Sequence, residues 1–125
     1  MPVKILLVDD DELNRFVGQE LLNGIGMQAK VASSGAEALQ QLQHEAFDLV
    51  FMDVSMPSMD GYETTKQIRA QTYFKNLPVI ALTAHAFVNE REVCLMAGMN
   101  DYLAKPFTLD ELKTIIYKWT GLRNS

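Results

Sequence analysis

Val3-Lys4-Ile5-Leu6-Leu7-Val8 runs straight into Asp9-Asp10-Asp11, an almost unbroken apolar segment that stops on three acids. A β-branched and aliphatic run of this kind reads as a strand buried on both faces, as strands inside parallel sheets are. Leu49-Val50-Phe51-Met52 and Val79-Ile80-Ala81-Leu82 repeat the pattern, the first followed by Asp53 and the second by Thr83. These segments are the expected central strands.

Between them the period changes to that of a helix. Leu13, Phe16, Val17 and Leu21 recur at helical spacing and form the expected core stripe, and Gly24 stands where a left-handed cap can end the helix, which therefore covers about residues 11 to 24. Ser34-Gly35-Ala36-Glu37 has the form of a capping box, with Ser34 accepting from an orphan amide and Glu37 reaching back to the Ser34 N–H. Thr108-Leu109-Asp110-Glu111 repeats the device, Phe107 and Leu112 occupy the staple positions, and Leu112, Ile115, Ile116 and Trp119 give a last helix its apolar stripe. Residues 28–32 and 102–104 read as further strands, and 62–70 and 86–97 as further helices.

Strand and helix thus alternate five times, which predicts a (βα)5 α/β fold of the flavodoxin-like kind, a doubly wound parallel sheet with strand order 2-1-3-4-5. In such sheets ligands sit beyond the carboxyl ends of the strands, near the switch in strand order. The whole chain, 1–125 with a core of about 3–120, is expected to be one domain, since 125 residues is a common domain size.

The composition is that of an ordinary soluble protein, 48% hydrophobic and 22% charged. Sixteen acidic against eleven basic residues leave a net charge of −5, which argues against direct binding of nucleic acid. Cys94 has no second cysteine to pair with, and no apolar run approaches the roughly 20 residues that span a bilayer. A cytoplasmic setting without membrane contact is the expectation.

The strand ends carry the chemistry. In the expected strand order Asp9, Asp10 and Asp53 project into one pocket, where like charges raise one another's pKa unless a cation intervenes, and hard oxygen ligands of this kind suit Mg²⁺. Lys105 supplies a point charge and Thr83 a hydroxyl donor, which are the parts needed around a phosphoryl group transferred to Asp53 as nucleophile. Taken singly, each signal has a plainer reading: acids after a strand are often helix caps, as Asp11 is expected to be, and a lysine before a proline is usually a surface charge. The joint arrangement favours the sharper reading.

Val8-Asp9-Asp10, Met52-Asp53-Val54-Ser55-Met56-Pro57-Ser58-Met59-Asp60-Gly61, Ala81-Leu82-Thr83-Ala84 and Asp101-Tyr102-Leu103-Ala104-Lys105-Pro106-Phe107 resemble the response-regulator receiver domains of two-component systems, with greater similarity to receivers of hybrid sensor histidine kinases. The resemblance implies that Asp53 is the phosphoacceptor. It implies that Asp10 and Asp53 hold Mg²⁺ with the main-chain carbonyl of Ser55, that Asp9 helps through water, and that Thr83 and Lys105 bind the phosphoryl oxygens. It further implies Thr83 and Tyr102 as the switch pair, a cis peptide before Pro106, and lifetime-tuning positions at Ser55 and His85. The implied donor is a histidine kinase or histidine phosphotransfer domain docking on the first helix, near Leu13, Asn14 and residues 16–18. The surface from the fourth to the fifth helix is the expected site of change and a candidate dimer contact.

Such a domain is not a classical enzyme, although it promotes its own phosphorylation and dephosphorylation, and the parent chain is either a stand-alone regulator or a hybrid histidine kinase. Two other classes fit less well. A haloacid-dehalogenase phosphatase needs an acid two residues after its nucleophile, where this chain has Ser55, and a flavodoxin electron carrier needs a hydroxyl-rich phosphate loop where this chain has Asp9, Asp10 and Asp11.

Overall fold

Period-two alternation is hidden inside the continuous apolar runs. In the computed structural model, which describes residues 3–54, 61–84 and 90–121, alternate residues of each run feed two separate cores. Strands β1 (Lys4–Val8), β2 (Gln28–Ala32), β3 (Leu49–Asp53), β4 (Val79–Thr83) and β5 (Asp101–Ala104) form one parallel sheet in the order 2-1-3-4-5, as expected. Leu6, Val8, Val50, Met52, Val79 and Ala81 lie in one core with residues of α2 (Gly35–His44), α3 (Gly61–Ala70) and α4 (Glu90–Met96). Ile5, Leu7, Leu49, Phe51, Ile80 and Leu82 lie in the other, with residues of α1 (Glu12–Gly24) and α5 (Leu109–Thr120). A strand covered on both faces has no polar side to alternate with, which is why these runs look unbroken.

Helix starts follow the capping chemistry closely. Thr108 and Glu111 complete a reciprocal box, with bonds of 3.1 and 2.9 Å. Asp11 is the cap of α1, its carboxylate accepting from the Asn14 amide at 2.9 Å. Ser34 accepts from the Glu37 amide at 3.1 Å, but the box there is only half formed: Glu37 accepts from the N–H and hydroxyl of Ser33, one residue further back. The extra hydroxyl at Ser33 offers the carboxylate two donors where Ser34 offers one.

Two expectations for α1 are corrected. Gly24 stays within the helix, and the left-handed residue is Gly26 at φ 88°, where the Gly26 amide meets the Asn23 carbonyl at 3.1 Å and the Met27 amide the Leu22 carbonyl at 3.0 Å. More consequentially, the stripe of Leu13, Phe16, Val17 and Leu21 faces outward, with Leu13 67% and Phe16 61% exposed, and Leu22 is the buried residue of this helix. Helical spacing identifies an arc but not its direction. The inward arc passes through Gly18, where an added Cβ would lie 2.4 Å from Leu7 Cδ2, so the helix approaches the sheet on its smallest residue. The fourth helix, expected from residue 86, is described from Glu90 onward, and residues 86–89 lie outside the described residues.

Arg69, which the sequence reading left unmentioned, ties three segments together. Its guanidinium donates to the carbonyls of Gly98, Phe74 and Leu77 at 2.7–2.8 Å and to Asn100 Oδ1 at 2.7 Å. Asn100 Oδ1 also accepts from the Val79 amide at 2.8 Å, so the start of β4 and the turn before β5 hang on one side chain. Unpaired buried acceptors cost ~1–3 kcal/mol each. Arg69→Met is therefore expected to lower the unfolding free energy by ~2–4 kcal/mol in urea titrations with an unchanged slope. A loss under ~0.5 kcal/mol would show that water replaces the guanidinium at little cost.

Candidate functional site

Strand register builds the site. Val8 pairs with Met52 across β1 and β3, so the residues that follow, Asp9 and Asp53, leave the neighbouring strands side by side. Both are buried, Asp53 completely. Across β3 and β4, Asp53 pairs with Leu82, and Thr83 follows it, also buried. The Lys105 amide donates to the Thr83 carbonyl at 2.8 Å, which fixes the chain after β5 against the end of β4. From there Lys105 Nζ reaches Asp53 Oδ2 at 2.5 Å and Asp9 Oδ2 at 3.6 Å. Asp9, Asp53, Thr83 and Lys105 are thus gathered where the sequence placed them, and the Lys105-Pro106 peptide is cis.

Backbone groups hold the acidic loop in place. The Asp11 amide donates to Asp9 Oδ1 at 2.9 Å, and Arg15 Nη1 donates to the Asp9 carbonyl at 2.9 Å. Gly61 opens α3 directly over the end of β3, and a Cβ there would lie 2.6 Å from the Asp53 carbonyl oxygen. Neither Arg15 nor Gly61 was singled out from sequence. For Gly61 the signal lay in Asp60-Gly61 just before a helical segment; Arg15 on an otherwise solvated helix gives no such sign.

One ammonium cannot neutralise two buried carboxylates. Burial pushes the Asp9 carboxyl above its ordinary value, the neighbouring Asp53 pushes the same way, and the Asp11 amide and Lys105 only partly offset this. Residual negative charge therefore remains where a divalent cation would be attracted.

The fit to such a cation can be judged from Asp10. Its Oδ1 is buried and accepts no hydrogen bond from the described residues, an arrangement that costs free energy unless something else supplies positive charge. Among the described residues no three acidic, histidine or cysteine side chains are gathered closely enough to hold a metal unaided. The three-carboxylate convergence expected from sequence is in this respect looser than pictured, although Asp53 lies close enough to Asp9 to raise its carboxyl. Mg²⁺ commonly takes one or two carboxylates and keeps several waters, so Asp10 with Asp53 is a donor set that fits it. Ser55 and His85 lie outside the described residues. Tyr102 is half-buried, packed against the core on the α2, α3 and α4 side of the sheet.

A cleft of about 600 Å³ opens beside this cluster. Asp9 and Lys105 lie at its floor, Asn14, Val17 and Leu21 of α1 form one wall, and Pro106 and Phe107 are among the residues opposite. The outward apolar face of α1 is continuous with its rim.

A doubly wound parallel sheet with an aspartate–lysine pair at its switch point defines the class of α/β domain, and comparison with known proteins narrows it. The chain belongs to the response regulator receiver domain family, whose model matches residues 5–117. It is 45% identical over 122 residues to the sensor protein GacS of Pseudomonas syringae, covering 95% of this chain and 14% of that protein. It is 43% identical over 123 residues to hybrid signal transduction histidine kinase E of Dictyostelium discoideum, covering 95% of this chain and 7% of that one. The chain therefore spans a small part of the curated relatives it matches, and the likeness to receivers of hybrid kinases seen in the sequence is borne out. Among solved structures it is similar to the receiver domain of the sensor histidine kinase PA1611 from Pseudomonas aeruginosa, which has a magnesium ion coordinated in its active-site cleft (TM-score 0.87, 41% identity, 98% of this chain and 100% of that one). It also resembles a receiver domain from Saccharomyces cerevisiae crystallised with a histidine phosphotransfer protein (TM-score 0.86, 28% identity, 96% and 90% covered).

The raised Asp9 carboxyl has a consequence for stability. An acid whose folded-state pKa lies above its ordinary value costs nothing below that value; the cost grows as pH rises through it, then levels off once the folded group ionises too. Asp9→Asn is expected to be more stable than the wild type at pH 7 in metal-free buffer, with the difference vanishing below the ordinary value of 3.8. Paired urea titrations at the two pH values check this, and a difference that does not change with pH contradicts the assignment.

Proposed function

We propose that Asp53 accepts a phosphoryl group from a phosphohistidine and that the domain changes shape in response. The observation that supports this most strongly is the fully buried Asp53 carboxylate held 2.5 Å from Lys105 at the carboxyl ends of the central strands. An Asp53 carboxylate oxygen attacks phosphorus as the nitrogen–phosphorus bond of the donor breaks, and the imidazole leaves and takes up a proton. Little covalent assistance is needed, because this transfer depends on alignment and on neutralising the equatorial oxygens. Lys105 supplies positive charge to one oxygen and Thr83 a hydroxyl donor to another. Asp10, Asp53 and the Ser55 carbonyl are the proposed holders of Mg²⁺, with Asp9 acting through water; when bound, the ion supplies the remaining charge neutralisation.

Thr83 drawn toward the phosphoryl group leaves space that Tyr102 can enter, which remodels the face made by α4, β5 and α5. Val93, Leu95 and Met96 of α4 are exposed on the described surface, and this face is the proposed dimer contact. The change is a population shift, so its size is limited by the difference in interaction energy between the two states. The domain is not a classical enzyme on this reading, and it promotes its own dephosphorylation. Among the described residues no helix is long and apolar enough to cross a membrane, and the proposed site of action is the cytoplasm.

The donor proposed is a histidine kinase or a histidine phosphotransfer domain, docking on α1. Leu13, Phe16, Val17 and Leu21 support this, since they present apolar surface beside the cleft that leads to Asp9 and Lys105.

Incubation with acetyl phosphate and Mg²⁺ is expected to add one base-labile phosphoryl group by intact mass, which does not form when the ion is chelated beforehand and is absent from Asp53→Asn. Modification of Asp53→Asn at the wild-type rate would refute the assignment. Phe16→Ala is expected to slow transfer from a phosphorylated histidine phosphotransfer protein by about tenfold or more, because buried aromatic anchors carry much of an interface's energy. Its rate with acetyl phosphate should stay within about twofold of wild type, and equal slowing in both assays would mean that Phe16 acts on the fold instead.

A further inference from the structure

β5 is only four residues long and lies at the sheet edge, and it carries a charged anchor at each end. At its carboxyl end Lys105 engages Asp53 and Asp9. At its start stands Asp101, about 10 Å away from Ala104 at ~3.3 Å per residue. Asp101 Oδ2 accepts from the Trp119 indole N–H at 2.9 Å and from Lys118 Nζ at 3.3 Å, both in the last turn of α5. Its Oδ1 accepts from the Tyr102 amide at 2.9 Å and lies 4.0 Å from Arg91 Nη1 in α4. One carboxylate, only 11% exposed, thus gathers groups from α4, β5 and α5, while Arg91 and Lys118 are themselves 60% and 55% exposed.

We propose that Asp101 is a positioning residue that couples the Asp53 site to the face formed by α4, β5 and α5, with β5 as the connecting rod. The proposal rests on the reading of Asp53 as phosphoacceptor. When Asp53 becomes an acyl phosphate, its carboxylate loses its charge and negative charge moves outward onto the phosphoryl oxygens. Lys105 follows that charge, and its amide, bonded to the Thr83 carbonyl, draws the end of β5 with it. As an edge strand, β5 is paired only to β4, through Ile80 to Thr83, so it can shift as a unit. Any shift changes the geometry at Asp101, where the 4.0 Å Arg91 contact is the longest arm and the Trp119 and Tyr102 bonds, both 2.9 Å, are the shortest. Burial pushes the Asp101 carboxyl up, yet the Trp119, Tyr102 and Lys118 donors together hold it below its ordinary value, so the carboxylate stays charged and the latch closed at neutral pH. Coupling between two sites is reciprocal: if site occupancy alters the latch, then loosening the latch must alter affinity at the site.

Trp119 is the chain's single tryptophan, so its emission reports on the surroundings of this one indole, which include the Asp101 bond and Lys118 Nζ 5.3 Å from the ring centroid. The test is a titration with beryllium fluoride and Mg²⁺, with ¹⁹F NMR counting the bound mimic and Trp119 emission read on the same samples. The wild type is expected to show an emission shift with the same midpoint as the ¹⁹F signal. Asp101→Ala should bind the mimic without the emission shift, with a midpoint moved by at least about threefold. Trp119→Phe removes the donor while keeping an aromatic ring against the core, serves as the second variant where Asp101→Ala does not fold, and should move the ¹⁹F midpoint in the same direction. A wild-type-sized shift in Asp101→Ala, or a melting temperature that falls while the midpoints stay put, overturns the coupling. Failure of the wild type to bind the mimic overturns the phosphoacceptor reading, and the coupling with it.

Discussion

Lys105 lies 2.5 Å from Asp53 and 3.6 Å from Asp9, two carboxylates buried at the ends of neighbouring strands. Burying a charge costs several kcal/mol unless it is paired, so the position of this ammonium is a constraint on everything around it. It requires β1 and β3 to be adjacent, which the 2-1-3-4-5 order provides, and it requires β5 to end level with Thr83, which the Lys105 amide enforces. The pairing is still incomplete. Asp9 is pushed up in pKa and Asp10 Oδ1 lacks a partner among the described residues, so the fold carries an excess of negative charge at the place where a divalent ion would relieve it. Strain of this sort is expected where local stability has been sacrificed for chemistry.

The same logic applies to α1. A helix that turns Leu13 and Phe16 to solvent and meets the sheet through Gly18 forgoes apolar burial that its sequence makes available. Exposed apolar surface on a helix that walls the cleft beside the acidic cluster is intelligible as docking surface held ready for a partner. Fold and function compete here for the same side chains.

That competition marks the limit of what the sequence made legible. The strands, their order, the capping of α1 and α5 and the gathering of Asp9, Asp53, Thr83 and Lys105 were all readable, because buried parallel strands and cap residues leave unambiguous local signals. The face of α1 was not readable, with Leu13, Phe16 and Val17 expected both in the core stripe and near the docking surface, since helical periodicity marks an arc without saying which side meets the core, and a glycine carries no hydrophobic weight. Arg69 and Asp101 were invisible for a different reason: their partners are carbonyls, amides and an indole from segments remote in sequence, such as Gly98 and Trp119. A polar residue's role in the fold is set by where its partners end up, which no local pattern encodes.

The phosphoacceptor assignment meets its most direct trial in the position of the phosphoryl group itself. Borohydride converts an aspartyl phosphate to homoserine, so reducing the phosphorylated domain and sequencing its peptides by mass spectrometry locates the reacted residue. Homoserine at position 53 alone is the predicted result. Homoserine at position 9 or 10, or none at all in a sample that carries a stoichiometric phosphoryl group, would contradict it.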